Sequence, residues 1–285
     1  MQTVTTIAEL RRQVDVWRRA GERIALVPTM GNLHGGHLQL VDEACRQAQR
    51  VVASIFVNPM QFSDDGGGDF ERYPRTFEAD REKLAASGAG LLFFPAQEEV
   101  YPAGIENVTR VEVPGISDIL CGAFRPGHFV GVATVVAKLF NMVRPDVAVF
   151  GEKDYQQLLV IRRFTEELCF PVEIIGVPTV READGLAMSS RNQYLSAEER
   201  QRAAALYRTL QAAKERLISG ERDIAAIESD AEKILKEAGF CAEYFTVCRA
   251  DDLRPATAAD TALVILAAAW LGEARLIDNL RLRRD

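Results

Sequence analysis

Residues 23–37 have the sequence R-I-A-L-V-P-T-M-G-N-L-H-G-G-H, in which a short apolar run leads directly into a glycine-rich segment with two histidines. The run Arg23–Pro28 predicts a buried strand, and the helical period from Leu38 to Gln49 predicts a helix after the glycines. In open α/β sheets, ligands bind beyond the carboxyl ends of the strands, where a helix N-terminus presents N–H groups to phosphate. The segment therefore predicts a phosphate-binding site.

Two of the three histidines of the chain, His34 and His37, stand in this H-x-G-H pattern. Gly35 and Gly36 allow a ligand to approach the backbone closely, and imidazoles can donate hydrogen bonds to a polyphosphate. A zinc site is not favoured, because no third Cys or His is suitably placed. The pattern resembles the signature of the nucleotidyl-transferring α/β superfamily, which includes class I aminoacyl-tRNA synthetases. That resemblance implies chemistry at the α-phosphate of ATP but no particular acceptor.

Residues 188–191, Met-Ser-Ser-Arg, resemble a second element of that superfamily, a basic loop after the last strand of the sheet. The usual K-M-S-K-S form has two lysines, and this chain has Ala187 and Arg191 in their places. Arg191 can still hold a polyphosphate, and in bidentate geometry. Taken alone, the segment is more typical of an ordinary loop or helix start, so its position after the sheet is what favours the phosphate interpretation.

The chain from residue 23 to 177 alternates predicted strands and helices. Near-continuous apolar strands such as Val51–Val57 and Val147–Phe150 are typical of a parallel sheet that is covered on both faces. Helical periods stand between them, for example over Tyr155–Leu168. This order predicts a doubly wound, Rossmann-like α/β domain.

The composition changes near residues 178–195. Two long helices rich in Ala, Glu and Arg are predicted between Ser196 and Ala238, and three apolar runs follow them. Helices followed by consecutive strands predict a separate, smaller α+β domain. We therefore expect an α/β domain at 1–182 and a small α+β domain at 183–285.

Composition excludes several classes of protein. The chain has 285 residues and a net charge of −7, whereas a bulk nucleic-acid binder is normally basic. The arginine-rich tail is the local exception, and we interpret it as a solvated terminus. No apolar run approaches the ~20 residues of a membrane span. We therefore expect neither a nucleic acid nor a membrane as a partner.

The expected compartment is a reducing cytoplasm. The five cysteines form no C-x-x-C pair and are odd in number, which indicates neither a disulfide framework nor a zinc site. No signal peptide is visible. Residues 6–20 form an arginine-bearing amphipathic stretch, but Glu9 and Asp15 interrupt it and disfavour a transit peptide.

Six long motifs and a tail follow one another along the chain. They are V-P-T-M-G-N-L-H-G-G-H (27–37), S-I-F-V-N-P-M-Q-F (54–62), R-Y-P-R-T (72–76), R-P-G-H-F-V-G-V (125–132), F-G-E-K-D-Y-Q-Q-L (150–158), M-S-S-R-N-Q-Y-L (188–195) and the tail A-A-W-L-G-E-A-R-L-I-D-N (268–279). In this order and spacing they resemble the pantoate–β-alanine ligase family nearly end to end. The resemblance implies ATP-dependent condensation of pantoate with β-alanine through a pantoyl adenylate. The products would be pantothenate, the vitamin precursor of coenzyme A, together with AMP and pyrophosphate. It also implies ATP as a substrate, Mg²⁺ as a cofactor and a homodimer formed through the N-terminal domain.

The same resemblance implies roles for individual residues. His37, with His34, would stabilise the leaving pyrophosphate, with His37 as proton donor, and Lys153 would meet phosphate as a point charge. The implied ATP contacts are Met30, Gly31, Asn32, Leu33, His34, Gly35, Gly36, His37, Gly151, Glu152, Lys153, Asp154, Val180, Met188, Ser189, Ser190 and Arg191.

Pantoate carries two hydroxyls and a carboxylate around a gem-dimethyl group, so its site needs neutral hydrogen-bonding groups against an apolar wall. Gln61 and Gln157 match the family's pantoate residues, and Gln61 is also implied for β-alanine; a glutamine can both accept and donate. Asp80 is a weak candidate for helping to hold Mg²⁺, which binds mainly through the phosphates of ATP.

Three further features have open interpretations. Asn58 either fixes a turn or touches a substrate. His128 either structures a loop or takes part in catalysis. The stretch Asp64–Asp69, with its glycine triplet Gly66–Gly68, is either an inert loop or a cover that excludes water from the adenylate.

Two competing functions remain at this stage. One is another small-acid adenylating or nucleotidylyl-transferring enzyme of the superfamily, or a truncated aminoacyl-tRNA synthetase; the acidic, short chain speaks against the last. The other is a non-catalytic nucleotide-binding domain, which would have lost the polar residues that this chain retains.

Overall fold

The computed structural model describes residues 1–62 and 69–284. The predicted cover is the stretch Asp64–Asp69, which includes the glycine triplet Gly66–Gly68. All of this stretch except Asp69 lies outside the described residues. The chain separates into two compact units. The first comprises Met1–Glu152 and Val160–Pro178, and the second comprises Lys153–Leu159 and Thr179–Asp285.

Within the described residues, the first unit is built on a parallel sheet of six strands. They are β1 (Gln2–Val4), β2 (Ile24–Thr29), β3 (Arg50–Ile55), β4 (Leu91–Phe93), β5 (Val147–Gly151) and β6 (Glu173–Val177). Their order across the sheet is β1-β4-β3-β2-β5-β6, and every neighbouring pair is parallel. The central strands are buried nearly throughout, which explains their continuous apolar sequences. The predicted doubly wound, Rossmann-like sheet is confirmed.

Helices connect these strands. They are α1 (Ile7–Arg19), α2 (Gly35–Gln47), α3 (Asp69–Arg72), α4 (Phe77–Ala86), α5 (Gln97–Val100), α6 (Cys121–Phe124), α7 (His128–Val143) and α8 (Tyr155–Glu167), of which residues 155–159 belong to the second unit. The N-terminus of α1 has a capping box, in which Thr6 and Glu9 each accept a backbone hydrogen of the other. On one face of the sheet, Leu40, Val41 and Leu84 pack in a cluster with strand residues.

The strand order places a topological switch point between β2 and β5. From β2 the chain winds outward through β3 and β4, and it then returns to add β5 on the other side of β2. Ala25 of β2 pairs with Val147 of β5. In doubly wound sheets, ligands bind in the crevice outside the carboxyl ends of the strands at such a point. Met30 directly follows β2, so the glycine-rich segment begins at this crevice.

The second unit has three helices followed by three strands within its described residues. They are α9 (Ala197–Ala203), α10 (Ala205–Ile218), α11 (Ile224–Glu237), β7 (Cys241–Arg249), β8 (Ala262–Leu271) and β9 (Ala274–Arg283). The strands form an antiparallel sheet in the order β7-β8-β9. Leu206, Leu210 and Leu235 of the helices pack with Ile265 of the sheet in one apolar core. The predicted α+β class is confirmed, with three helices in place of two, and the division at residue 182 stays a prediction.

Two details differ from the sequence-based expectations. The strand β1 is absent from the predicted pattern, because three residues are too few to show a period. The arginine-rich tail is only partly a solvated terminus: Arg281 and Arg283 are exposed, but they lie on strand β9, which pairs with β8 along its length. Arg275 is held by a bidentate ion pair with Glu243, and the Arg284 guanidinium donates to the carbonyls of Asp260 and Thr257.

No helix among the described residues is long and apolar enough to cross a membrane. All five cysteines lie in the described part of the chain, and none of them forms a disulfide.

Candidate active site

The H-x-G-H segment forms the N-terminal cap of α2. Helix α2 begins at Gly35, and His34 occupies the N-cap position with extended backbone. Nδ1 of His34 accepts the backbone N–H of Gly36 at 3.1 Å, and Nδ1 of His37 accepts the backbone N–H of His34 at 3.3 Å. The two rings lie side by side, with centroids 4.1 Å apart. The histidines thus do for this helix what Ser or Asp does in an ordinary capping box.

These bonds have a consequence for the chemistry of the rings. An imidazole whose Nδ1 accepts a hydrogen bond carries its proton on Nε2 when neutral. Each histidine is therefore a donor through Nε2–H, at a helix end that already favours negative charge. The arrangement suits the binding of an anion such as a polyphosphate.

The loop before the cap is held by a buried carboxylate. Asp80, in the first turn of α4, is fully buried, and its two oxygens accept the backbone N–H groups of Asn32 and Leu33, each at 2.8 Å. Thr76 donates a third hydrogen bond to Asp80 at 3.0 Å. Gly31 has a φ of +85°, and a Cβ there would lie 3.1 Å from the Asp80 carboxylate. The carboxylate and the glycine together fix the course of the Met30–Leu33 backbone.

Gln61 lies at the end of a buried hydrogen-bond chain. The Tyr101 hydroxyl donates to Oδ1 of Asn58 at 2.8 Å, and Nδ2 of Asn58 donates to Oε1 of Gln61 at 3.2 Å. Because Oε1 is engaged in this way, the Gln61 amide turns its Nε2 towards Met30, 2.9 Å from the sulfur. Burial raises the pKa of Tyr101, so the phenol keeps its proton and remains a donor.

The same chain shows how Asn58 stabilises the turn after β3. Its Oδ1 also accepts the backbone N–H of Met60 and so caps the short 3-10 helix Pro59–Gln61. Asn58 therefore fixes the turn after β3 and orients Gln61. The sequence motif N-P-M-Q contains this cap, but Tyr101 is 43 residues away from Asn58 and no local pattern points to it.

The start of α7, together with Arg125 just before it, contacts the backbone at Gln61. Nδ1 of His128 lies 2.8 Å from the Gln61 carbonyl oxygen, and Arg125 donates to the same oxygen at 3.2 Å. Gly131 lies so close that a Cβ would stand 2.3 Å from the carbonyl oxygen of Met60. Since a carbonyl only accepts, Nδ1 of His128 is the donor in this contact. His128 thus structures the turn that carries Gln61.

An apolar cavity of about 190 Å³ opens at the carboxyl ends of β2, β3 and β4. Met30 and Gly31 line it, whereas Gln61 is not in its lining. Its polar side chains are those of Arg75, Thr76, Asp80 and Gln97.

The second unit carries a different set of predicted residues. Lys153 and Asp154 lie in the 3-10 helix Glu152–Asp154, with the Lys153 ammonium 3.9 Å from the Asp154 carboxylate. Gln157 is half-buried in the first turn of α8. Gly151 and Glu152 are predicted with Lys153 as ATP contacts. Gly151 is the last residue of β5, and Glu152 is the last residue of the first stretch of the first unit.

Val180 and Met188 are brought together by a short hairpin. The Met188 N–H donates to the Val180 carbonyl at 3.0 Å, and Arg181 bridges to Ala187 in antiparallel fashion. Ser189 then caps the 3-10 helix Ser190–Tyr194 by accepting the Arg191 N–H at 3.3 Å. The Met-Ser-Ser-Arg segment is therefore a helix start, and it follows directly on the hairpin.

The described residues contain no group of three or more His, Cys, Asp and Glu side chains that could hold a metal ion. Asp80, the weak candidate for Mg²⁺, is fully buried with both oxygens on backbone amides.

Comparison with known proteins identifies the family. A sequence model described as Pantoate-beta-alanine ligase matches residues 2–281. The chain is 60% identical over 280 residues to a pantothenate synthetase of Thioalkalivibrio sulfidiphilus, covering 98% of this chain and 97% of the relative. It is 57% identical over 284 residues to one from Shewanella sp., covering all of both chains.

Solved structures agree with these relatives. The crystal structure of the pantothenate synthetase from Thermus thermophilus matches with a TM-score of 0.91 at 49% identity, over 98% of this chain and 99% of that one. The pantoate-beta-alanine ligase from Francisella tularensis, solved in complex with beta-gamma ATP and beta-alanine, matches with a TM-score of 0.81 at 31% identity, over 98% and 97% of the two chains. Fold, motifs and full-length relatives agree with the predicted resemblance, and the chain belongs to the pantoate–β-alanine ligase family of enzymes.

Proposed function

We propose that this enzyme condenses pantoate with β-alanine in two steps, the first of which consumes ATP, and releases pantothenate, AMP and pyrophosphate. The observation that carries the proposal is the cap of α2, where two Nε2–H donors and a helix N-terminus meet at the switch point of the sheet. Such an end of a helix is suited to polyphosphate. The relatives named above, one of them solved with an ATP compound and β-alanine, support the choice of substrates.

In the first step, a carboxylate oxygen of pantoate attacks the α-phosphorus of ATP. The bond from that phosphorus to the bridging oxygen of the β-phosphate breaks, and pyrophosphate leaves. Negative charge grows on the pyrophosphate as this bond breaks, so donors aimed at it stabilise the transition state more than the ground state. We assign this role to His34 and His37, with His37 as the proton donor through its Nε2–H group, in a hydrogen bond rather than by full transfer.

In the second step, the uncharged amine of β-alanine attacks the acyl carbon of the adenylate. The bond from that carbon to the phosphate oxygen breaks, AMP leaves, and the nitrogen releases a proton to water as the amide forms. No protein nucleophile is needed, so the five cysteines have no role in the reaction. Orientation of the reactants supplies the main contribution of the protein to this step.

Gln61 and Gln157 are assigned to pantoate, and Gln61 also to β-alanine. The Gln61 amide is held by Asn58 on its oxygen side, which leaves Nε2 as its donor. A fixed amide donor can recognise a hydroxyl or carboxylate oxygen of pantoate without adding a charge to the site.

The remaining assignments concern ATP. On the first unit, Met30–His37, Gly151 and Glu152 would contact the nucleotide. On the second unit, Lys153, Asp154, Val180 and Met188–Arg191 would do so, with Lys153 and Arg191 as cationic partners of the phosphates. Mg²⁺ would be held mainly by the phosphates of ATP, and no step of the reaction is assigned to it.

Two further properties rest on the family resemblance alone: a homodimer formed through the N-terminal domain and a cytoplasmic location. Light scattering coupled to gel filtration tests the first, and an expected mass of twice 31.6 kDa distinguishes the dimer from the monomer.

The test of the proposed function is product identification. The purified protein is incubated with ATP, Mg²⁺, pantoate and β-alanine, and the products are separated and weighed by mass spectrometry. We expect pantothenate, AMP and pyrophosphate in equal amounts, with sustained turnover only when both acid and amine are present. A dinucleotide-like product would indicate a nucleotidylyltransferase instead, turnover with another acid would change the substrate, and no ATP consumption would indicate a non-catalytic protein. His37→Ala serves as the inactive control.

A further inference from the structure

The tail motif L-I-D-N contains a buried charge. Asp278, on β9, is 3% exposed, and its carboxylate accepts two hydrogen bonds from Arg181, at 2.6 and 2.9 Å. The backbone N–H of Asn279 donates a third at 2.7 Å. Burial raises the pKa of Asp278, and the Arg181 guanidinium opposes that shift. A buried ion pair is weak evidence for stability, because desolvation offsets much of its attraction. Its place in the fold suggests a positioning role.

Arg181 connects this carboxylate to the hairpin that carries predicted ATP residues. It lies between Val180, whose carbonyl accepts the Met188 N–H, and the turn, where its Nη1 donates to the Gly185 carbonyl at 3.1 Å. The guanidinium also stacks 3.8 Å from the centre of the Tyr207 ring. Arg181 therefore ties the turn of the hairpin, α10 and β9 together.

Asn279, the next residue of the motif, holds the other predicted ATP segment of this unit. Its Nδ2 donates to the Lys153 carbonyl oxygen at 2.9 Å. The positive charge of Lys153 also attracts the Asp278 carboxylate and so opposes the rise in its pKa that burial causes. Lys153, Ser189, Asn192 and Asp278 line one small cleft. Two adjacent residues of β9 thus contact both the Lys153 segment and, through Arg181, the hairpin that leads into Met188–Arg191.

We propose that Asp278 and Asn279 are positioning residues for nucleotide binding: Asp278 fixes the Val180–Met188 hairpin through Arg181, and Asn279 fixes the backbone of Lys153. This inference rests on the proposed function, in which both segments contact ATP. It assigns a role to the tail motif, which stands about 90 residues after the Met-Ser-Ser-Arg segment and has no phosphate-binding residue of its own.

The chain offers a matched control for Asp278. Glu243 and Arg275 form a bidentate ion pair on the same sheet, with side chains 12% and 11% exposed, and neither contacts a predicted ATP residue in the hydrogen bonds described. Glu243→Gln therefore removes the charge of a comparable pair without touching the hairpin. The Kd of a non-hydrolysable ATP analogue, the KM values of ATP and pantoate, kcat and Tm are measured for Asp278→Asn, Asn279→Ala and Glu243→Gln.

We expect Asp278→Asn to weaken binding of the analogue by about 10-fold or more, because hydrogen bonds to a charged group contribute about 10-fold to 100-fold each. Asn279→Ala should weaken it by about 3-fold to 10-fold, the equivalent of one hydrogen bond. The KM of pantoate should stay within about twofold in both, and Glu243→Gln should leave the Kd within about twofold even if its Tm falls.

An unchanged Kd in folded Asp278→Asn and Asn279→Ala would overturn the proposal, as would an equal loss of binding in Glu243→Gln. If Asp278→Asn does not fold, Asn279→Ala decides, since it removes an uncharged side chain and leaves the Arg181–Asp278 ion pair in place. The unsubstituted protein separates the two proposals: if it makes pantothenate while the variants bind normally, only the positioning role fails. If it binds no ATP analogue and makes no pantothenate, the proposed function fails as well.

Discussion

Oδ1 of Asp80 accepts the backbone N–H of Leu33 at 2.8 Å, a bond between residues 47 positions apart in the chain. It links the first turn of α4 to the loop that precedes the cap of α2. Its sister bond from Asn32 holds a residue with a φ of 50°, in the left-handed region that few side chains favour. The glycine-rich loop therefore owes its shape to a carboxylate outside the motif.

This relationship predicts the effect of Asp80→Asn. One of the two backbone amides would then face an NH₂ group, so we expect the free energy of unfolding to fall by about 1–3 kcal/mol. The KM of ATP should rise because Met30–Leu33 shifts. Urea denaturation without Mg²⁺ or ATP measures the first quantity.

The control is Glu99→Gln, since Glu99 also accepts a backbone amide, that of Ile7 at 2.7 Å, but away from the loop. It should lose stability with little change in the KM of ATP. If Asp80 is instead a Mg²⁺ ligand, Asp80→Asn would leave unfolding in metal-free buffer unchanged and raise the Mg²⁺ concentration needed for half-maximal rate.

The paired histidine rings of the cap predict unequal effects of a substitution on adenylation and on the binding of pantoate. His37→Ala removes a donor whose interaction grows as pyrophosphate leaves, so we expect kcat for adenylation to fall by about 10²–10³-fold. Binding of pantoate should change little, because the interaction is weak in the ground state. Rapid-quench measurement of adenylate formation and equilibrium binding of pantoate check the two quantities, and equal losses in both would contradict the assignment.

The hydroxyl of Tyr101 predicts a defect confined to pantoate. Tyr101→Phe removes the donor to Asn58 and loosens the orientation of the Gln61 amide, at a cost of about 1 kcal/mol for one hydrogen bond. We expect the KM of pantoate to rise by about fivefold and the KM of ATP to stay nearly constant. Thr165→Val is the control, because it removes another buried hydroxyl that donates, at 2.6 Å, to the Ile161 carbonyl. Parallel changes in both variants would refute the link to Gln61.

Cys248 predicts a pH dependence of stability. Burial raises the pKa of this thiol to about 11, while an unfolded cysteine titrates near 8.5. The contribution of Cys248 is therefore complete below about pH 8.5, and it is lost by about 1.4 kcal/mol per pH unit as the pH rises towards 11. Cys248→Ala should show a flatter alkaline limb than the parent in denaturation from pH 7 to 10.5. Cys241→Ala, which removes an exposed thiol of the same strand, should keep the slope of the parent. An unchanged slope in Cys248→Ala would show that this thiol does not titrate as described.

The sequence contains enough information for the sheet and for the strand–cap–helix unit around His34. Continuous apolar runs and the H-x-G-H pattern are local signals, and the strands β2, β3 and β5 lie at the apolar runs that predict them. The contacts that shape the site are not local. Asp80 to Leu33, Tyr101 to Asn58 and Asn279 to Lys153 join residues 47, 43 and 126 positions apart, and only folding brings them together.

Charge also misleads a reading from composition alone. The tail arginines look like a solvated terminus because arginine is rarely buried without a partner. Arg275 has such a partner in Glu243, which is 32 residues away on β7, on the other side of β8 from β9. The pairing becomes visible only once the register of the antiparallel strands is known.

The most direct test of the central claim is isotope exchange between ATP and pyrophosphate, with pantoate and Mg²⁺ present and β-alanine absent. We predict exchange that depends on pantoate, is lost in His37→Ala, and gives way to pantothenate and AMP when β-alanine is added. Full turnover with β-alanine but no exchange without it would contradict a free-standing adenylate formed in the first step. The absence of both isotope exchange without β-alanine and turnover with it, in folded protein, would contradict the assigned substrates altogether.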